Sequence, residues 1–174
     1  GVLSLLSMIL YTVIYTPAKR VTPFAVLIGA FPGAFPPMLG WIAARNTIGM
    51  EAVLLYAVQF IWQFPHFWSI AWVLDEDYKK AGFRLLPTTK PDKTSALIIL
   101  LTTIVLIPVS LMPTLYHFGG NSIAFISLVA GLYFLYTAIQ LYRQLDIASA
   151  RRMMYVSFVY LPLVQVGLLL DFIS

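Results

Sequence analysis

The chain has 174 residues, of which 60% are hydrophobic and only 10% charged, and its formal net charge is +4. A soluble domain usually has about a quarter of its residues charged, so this composition excludes an aqueous globular fold and indicates a protein embedded in the lipid bilayer. The chain contains no cysteine, which excludes disulfides and thiolate metal sites. Its basic residues lie in short loops between apolar runs, which excludes a nucleic-acid-binding surface and is typical of a membrane topology signal.

Six apolar segments follow one another along the chain, and all but the first approach the roughly 20 residues of a membrane-spanning helix. Because a backbone in lipid must satisfy its own hydrogen bonds, runs of this length predict helices. We therefore predict an all-α fold, a polytopic transmembrane helix bundle that forms a single domain over residues 1–174. The predicted segments are Val2–Tyr15, Pro23–Ala44, Glu51–Leu74, Ser95–Pro113, Ser122–Tyr142 and Met153–Ile173.

The first segment, Val2–Tyr15, carries no charge but is shorter than a span, and the chain begins without methionine. It has no basic leader and no small-residue cleavage site, so it does not read as a signal peptide. We expect a truncated transmembrane helix, with an N-terminal part of the protein preceding it.

The loop charges predict the orientation. If the segments cross alternately, ten of the eleven Lys and Arg residues fall on one membrane face and only Arg45 on the other. The positive-inside rule makes the basic face cytoplasmic, together with the long loop Asp75–Thr94. The basic face holds Lys19, Arg20, Lys79, Lys80, Arg84, Lys90, Lys93, Arg143, Arg151 and Arg152.

The second segment contains Gly29 and Gly33, a small-residue pair that allows close approach of helices. Helix packing and a wide lipophilic groove are both compatible with this pair. Just before the segment, Lys19 and Arg20 form a cationic pair at the cytoplasmic face. This pair fits ordinary membrane anchoring as well as contact with an anionic substrate.

The third segment carries polar residues at helical spacing. At about 100° per residue, Gln59, Gln63, His66 and Asp77 fall in one narrow sector, while Asp75 points away if the helix stays regular. Polar groups at membrane depth usually face a cavity or the bundle interior. His66 is either a structural histidine, bonded across helices, or a contact for a bulky acceptor with its imidazole as an iron ligand.

Three consecutive acids, Asp75, Glu76 and Asp77, end this segment and are followed at once by Lys79 and Lys80. Clustered carboxylates suit Mg²⁺ that bridges to substrate phosphates, and nearby Lys and Arg side chains supply charge-assisted bonds to a diphosphate. A solvated loop whose mixed charges neutralise each other is the alternative. Three aromatic residues of the same stretch are candidates for stabilising a carbocation or for packing alone: Phe67, Trp68 and Trp72.

Four blocks of sequence resemble the haem O synthase branch of the UbiA-type intramembrane prenyltransferases. The blocks match in order and spacing, and the resemblance covers essentially the whole chain. They are Tyr15-Thr-Pro-Ala-Lys-Arg-Val-Thr-Pro23, Ile28-Gly-Ala-Phe-Pro-Gly-Ala-Phe-Pro-Pro-Met-Leu-Gly-Trp41, Trp62-Gln-Phe-Pro-His-Phe-Trp68 and Asp77-Tyr-Lys-Lys-Ala-Gly-Phe-Arg-Leu-Leu-Pro87.

The resemblance implies a nine-helix bundle, of which this chain supplies the last six helices. It also implies transfer of a farnesyl group from farnesyl diphosphate to a vinyl group of haem B, with Mg²⁺ holding the diphosphate. Asp77 is then the metal-binding acid of the second motif, Lys19 and Arg20 contact the diphosphate as catalytic residues, and His66 belongs to the haem side. We assign Asp75 as a second metal ligand, and further substrate-binding roles go to Gln63, Tyr78, Lys80 and Arg84.

The sequence departs from the family pattern at three points. The first aspartate-rich motif, Asn-x-x-x-Asp-x-x-x-Asp, is not in this chain, so we expect the piece alone to be inactive. Val73 stands where related enzymes have the first acid of an Asp-x-x-x-Asp motif, and Asp75 or Glu76 are the candidates to replace it. Arg84-Leu-Leu-Pro87 stands where Pro-Met-Leu-Pro is usual.

Two other functions compete with this interpretation. A sibling prenyltransferase would use an aromatic quinone precursor in place of haem. A transporter subunit would have paired, broken helices with sites near the membrane midplane, which the acids at one edge disfavour. The expected partners are farnesyl diphosphate, haem B, the lipid bilayer and haem–copper oxidase assembly proteins, and the expected location is the bacterial inner membrane.

Overall fold

The computed structural model describes residues 1–22 and 25–173, with the backbone alone for residues 19–21, 172 and 173. All regular structure in these residues is helical, which confirms the predicted all-α fold. The elements in chain order are α1 (Val2–Ile9), a π-helical segment (Leu10–Tyr15), α2 (Thr16–Val21), α3 (Ala25–Gly33), α4 (Phe35–Arg45), α5 (Met50–Val73), α6 (Asp75–Lys80), α7 (Lys93–Leu115), α8 (Asn121–Gln144) and α9 (Ile147–Ile173).

In the part of the chain that the structure describes, four stretches are long and apolar enough to cross a membrane, and each agrees with a predicted segment. They are Ala25–Arg45, which joins α3 and α4, Lys93–Leu115, Asn121–Gln144 and Ile147–Asp171. The predicted third span, α5, has the necessary length of 24 residues but a lower hydropathy, because it carries glutamine and histidine side chains. The architecture is therefore a polytopic bundle with one helix that is more polar than the rest.

The polar helix α5 lies at the centre of the bundle. It packs against α3, α4, α7 and α9, while α8 packs against α7 and α9 on the far side. Half of the residues of α5 are buried, and Trp62 donates its indole N–H to the backbone oxygen of Ser157 in α9 at 3.0 Å. Its neighbours shield the buried half, which includes Gln63 and His66, so α5 tolerates side chains that lipid would reject.

Two helices begin earlier than predicted because aspartates cap them. The Asp92 carboxylate accepts the backbone N–H of Ser95 at 2.8 Å, and α7 begins at Lys93. Asp146 accepts from the backbone N–H and the hydroxyl of Ser149 in the same way, and α9 begins at Ile147. The prediction that Arg151 and Arg152 lie in a loop is therefore wrong, since both lie in the first turns of α9.

The two ends of the bundle differ in charge. One end gathers the end of α5, α6, the loop before α7 and the α8–α9 junction around a recess of about 370 Å³. The other end joins α4 to the loop after α7, where the rings of Trp41 and Phe118 lie 5.0 Å apart and Arg45 lies 5.3 Å from the Trp41 ring. Of the basic residues with a described side chain, Arg45 alone belongs to this second end, so the fold matches the predicted charge asymmetry.

Candidate functional site

A cavity of about 320 Å³ lies between the π-helical segment, α3, α5 and α6. From α5 it receives Gln59, Gln63 and His66, so these polar residues share one face as their helical spacing predicts. Among the described residues, those that line it are Tyr11, Tyr15, Val26, Gly29, Gly33, Gln59, Trp62, Gln63, His66, Phe67, Tyr78 and Leu85. The cavity is thus a mostly apolar chamber with a polar stripe along its central helix.

His66 is held rigidly in the wall of this cavity. Its Nδ1 lies 2.8 Å from the hydroxyl of Ser157 in α9, and its ring stacks on Trp62 with centroids 4.2 Å apart. The ring of Phe158 meets the imidazole edge-on at 5.0 Å. The stacked Trp62 ring, the edge-on Phe158 ring and the bond at Nδ1 restrain the imidazole, so the bond across helices predicted for a structural histidine is present in a residue that also lines the cavity.

Gln63 fits into the wall because Gly33 has no side chain. Its Nε2 donates to the backbone oxygens of Ala30 at 3.2 Å and Gln59 at 3.3 Å. A Cβ added to Gly33 would lie 2.3 Å from Gln63 Oε1, and one added to Gly29 would lie 2.6 Å from the Tyr15 ring. The two glycines therefore allow close packing and line the cavity at the same time.

The cavity reaches the basic end of the bundle at Tyr78. Burial raises the pKa of the Tyr78 hydroxyl, so it stays protonated and can donate a hydrogen bond at neutral pH. Gly82 has φ of +78°, a conformation that glycine adopts without strain. The turn there lets the Phe83 N–H donate to the Tyr78 backbone oxygen at 2.8 Å.

The predicted alignment of Asp77 with the polar stripe is wrong. The backbone leaves the α-helix at Leu74 (φ −103°, ψ 19°), which separates α5 from α6 and changes the direction of the acids. Pro65, a residue type that often kinks helices, lies within the uninterrupted α5. Among the described residues, the cavity wall therefore meets α6 at Tyr78 and not at Asp77.

The two candidate metal ligands have different surroundings. Asp77 is exposed, and of the cations with a described side chain Lys80 pairs with it at 3.7 Å. Asp75 is largely covered and forms an ion pair with Lys79 at 2.5 Å, and it lines the separate recess at the α8–α9 junction. The hydrogen bond to Asp75 raises the pKa of Lys79, which keeps this ion pair charged. The expectation that Asp75 points away assumed a regular helix, and the interruption at Leu74 removes that assumption.

The remaining predicted cations are partly described. The Lys80 side chain is exposed on α6, and Arg84 is exposed in the following loop, next to the cavity-lining Leu85. The side chains of Lys19 and Arg20 lie outside the described residues. Their backbone belongs to α2, which continues the helix that carries Tyr15.

The donor set fits magnesium as a partial site. Within residues 1–22 and 25–173, no group of three or more His, Cys, Asp or Glu side chains converges on a common point. Magnesium is often held by one or two carboxylates, with waters and substrate phosphates completing its octahedron. Among the described side chains, Asp77 has one cationic partner, Lys80 at 3.7 Å, which leaves carboxylate lone pairs for this role, whereas Asp75 is engaged by Lys79.

The aromatic wall differs from the one expected. Phe67 lines the cavity, but Trp72 lines the other recess and Trp68 packs on Phe64 at 5.3 Å. Sequence reasoning missed Tyr11, Tyr15 and Trp62 in the wall, and Ser157 and Gln165 behind it. The spacing of Trp62 and His66 by four residues is a signal for Trp62, whereas the α9 partners depend on helix packing.

The sequence matches a known protein family. Residues 1–161 match the model of the UbiA prenyltransferase family. The chain belongs to this family. It is 50% identical over 171 residues to "Protoheme IX farnesyltransferase" of Cytophaga hutchinsonii, a match that covers 98% of the chain and 60% of the relative. Proteins of the same name from Flavobacterium psychrophilum and Solibacter usitatus are 48% and 42% identical over 95% and 92% of the chain.

Membership of the UbiA family, together with the four apolar spans, makes this an integral membrane protein. The chain spans about 56–60% of the length of these curated relatives. No solved structure matches the chain.

Proposed function

We propose that the whole protein transfers a farnesyl group from farnesyl diphosphate to a vinyl group of haem B, forming haem O and releasing diphosphate. The observation that carries the proposal is a rigid histidine, His66, in an apolar cavity that runs towards the acids and lysines of α6 in a UbiA-family chain. The names of its relatives support haem as the acceptor. This arrangement would bring an electron-rich acceptor beside the polar stripe of α5 together with an allylic diphosphate at the charged residues of α6.

The charged residues where the cavity meets α6, which form its rim, bind the diphosphate in this proposal. We assign Asp77 to a magnesium ion, with Asp75 joining it when its ion pair with Lys79 opens, and magnesium would supply positive charge next to the leaving group. Lys19, Arg20, Lys80 and Arg84 donate charge-assisted hydrogen bonds to the phosphate oxygens. Tyr78, whose hydroxyl stays protonated, donates a further hydrogen bond where the rim meets the cavity.

The cavity serves the carbon chemistry. The C–O bond of farnesyl diphosphate breaks and its electron pair leaves with the diphosphate. The π electrons of the haem vinyl group form the new C–C bond to the farnesyl carbon. Water then adds to the resulting cation and loses a proton, which leaves a hydroxyl group. Val26, Phe67 and Leu85 keep bulk water away from the first cation, and the Phe67 and Trp62 rings offer π faces to it.

Haem lies on the α5 side of the cavity in this proposal. His66 contacts the acceptor, and Gln63 beside it contributes an amide to the same face. The basic end faces the cytoplasm of a bacterial cell, where farnesyl diphosphate is dissolved, and haem–copper oxidase assembly proteins receive the product.

The test uses the full-length protein in membranes supplied with farnesyl diphosphate, haem B and Mg²⁺, with haem O measured by mass. Asp77→Ala should lower the rate by about 100-fold or more, the scale of losing one electrostatic contact to a transition state. Glu51→Gln removes a carboxylate at the opposite end of α5 and should leave the rate unchanged.

An unchanged rate in Asp77→Ala would remove the metal role. A second assay distinguishes this reaction from that of a sibling prenyltransferase. It replaces haem B with an aromatic quinone precursor such as 4-hydroxybenzoate. Prenylation of that compound, with no haem O formed, would show that the acceptor is a quinone precursor and not haem.

A further inference from the structure

We infer that Ser157 is a positioning residue that holds His66 in a single tautomer and presents its Nε2 lone pair to the iron of the haem acceptor. The inference rests on the proposed function and adds a residue of α9 to a site otherwise built from the first half of the chain. Ser157 is fully buried and connects α9 to α5 twice. Its backbone oxygen accepts from Trp62 at 3.0 Å, and its hydroxyl meets His66 Nδ1 at 2.8 Å.

The hydrogen bonds of Ser157 determine which ring nitrogen of His66 carries the proton. The Ser157 hydroxyl lies 2.6 Å from the backbone oxygen of Met154, a group that can only accept. The single hydroxyl proton must lie between these two oxygens, since otherwise their lone pairs would face each other at short range. Ser157 Oγ therefore accepts from His66, and the ring carries its proton on Nδ1.

The other nitrogen is then free for a ligand. With Nδ1 protonated, Nε2 of the neutral ring carries a lone pair, and among the described residues no group hydrogen-bonds to it. The ring lines the cavity and is restrained there, because Trp62 stacks on it and Phe158 meets it edge-on. A histidine that binds a metal through one nitrogen usually donates its other N–H to an oxygen, which orients the ring and raises its basicity. Ser157 supplies that oxygen.

The experiment titrates the full-length protein with haem B and records its absorption and, after reduction, the iron–histidine stretching band by resonance Raman spectroscopy. Ser157→Ala should weaken haem binding by about tenfold, the usual cost of losing such a partner. It should also lower the stretching frequency, because the hydrogen bond at Nδ1 makes the imidazole a stronger donor. Ser157→Thr keeps the hydroxyl and should retain the wild-type band.

Ser110→Ala is the matched control. Ser110 is equally buried, donates to the backbone oxygen of Leu106 at 2.7 Å and bonds the Tyr160 hydroxyl of α9 at 2.5 Å, away from the cavity. It should leave the band in place and the affinity within about twofold, because it removes a similar bond without touching His66.

The outcomes separate the two proposals. If Ser157→Ala behaves like Ser110→Ala while His66→Ala abolishes the band, the role of Ser157 is refuted and haem binding stands. If the wild-type protein binds no haem B, the proposed acceptor is wrong and the inference fails with it. If Ser157→Thr does not fold, the band position in Ser157→Ala still decides, since a purely structural loss would not move it.

Discussion

Hydrogen bonds from its amide hold the Gln63 side chain in one orientation, which also fixes the position of its amide oxygen. Its amide N–H groups go to the backbone oxygens of Ala30 and Gln59, and its Oε1 occupies the space above Gly33. A buried amide that loses such partners costs about 1–3 kcal/mol. The position of Gln63 in the cavity therefore depends on a glycine in a different helix.

Gly33→Ala should move Gln63 rather than unfold the bundle. The new methyl group would lie 2.3 Å from Oε1, the end of a flexible side chain that can turn away. Turning away breaks the bond to Ala30, so we expect haem B affinity to fall by about fivefold, the effect of one hydrogen bond. Haem titration of the full-length variant measures this.

Two variants control for this prediction. Gly40→Ala adds the same methyl group where no atom lies within 4 Å, and it should bind haem B normally. In a Gln63→Ala background, Gly33→Ala should have no further effect, because the clashing amide is gone. An equal loss in both backgrounds would show that Gly33 acts through another neighbour.

At the scale of elements, hydropathy and spacing predict most of this fold, because long apolar runs in lipid have no alternative to the helix. The polar face of α5 is also predictable, since Gln59, Gln63 and His66 follow the helical period. The step from Val73 to Asp75 is not predictable in this way. Leu74 leaves the helical conformation. The regular helical rotation per residue therefore no longer predicts the direction of side chains after Leu74 relative to those before it.

Contacts between elements are the second limit. Ser157 and Gln165 meet His66 and Gln59 across the α5–α9 interface, where Gln165 Nε2 donates to Gln59 Oε1 at 3.0 Å. Nothing in the local sequence of α9 marks these two residues, because their partners lie about 100 positions away in the chain. Only the packing of the helices reveals them.

The cap of α7 should make the bundle sensitive to acid. Burial alone would raise the pKa of Asp92, but the backbone N–H of Ser95, which donates to its carboxylate, and the nearby Thr88 and Ser95 hydroxyls outweigh this and leave the pKa below its usual value. A carboxyl with a depressed folded-state pKa stabilises the protein above its unfolded pKa of about 3.9, and this stability is lost as the pH falls through the folded-state value.

Asp92→Ala should therefore lower the free energy of unfolding by about 1 kcal/mol at neutral pH, as the loss of an N-cap does. Asp92→Asn keeps a capping oxygen but does not titrate, so its stability should lack this loss at acid pH. Thermal unfolding in detergent at pH 7 and near pH 3 compares the variants. The same acid loss in Asp92→Asn as in the wild type would assign it to another group.

At the scale of the whole molecule, the proposed reaction requires that the acids of α6 and the loop before α7 face the cytoplasm. The helix order carries the α6–α7 loop and the α8–α9 junction to one end, and the α4–α5 and α7–α8 loops to the other. Ten of the eleven basic residues of the sequence belong to the first end by this order. Charge asymmetry of this kind sets orientation during insertion.

Cysteine labelling tests this orientation directly, because the chain has no cysteine of its own. In a cysteine-free full-length background, Thr47→Cys marks the exposed loop after α4 and Lys90→Cys marks the exposed loop before α7. A membrane-impermeant maleimide added to spheroplasts should label position 47 at once. It should reach position 90 only after the membrane is permeabilised. Immediate labelling at position 90, with position 47 protected, would show that the protein has the opposite orientation in the membrane. The acid-lined rim would then open on the side away from cytoplasmic farnesyl diphosphate, which the proposed reaction cannot accommodate.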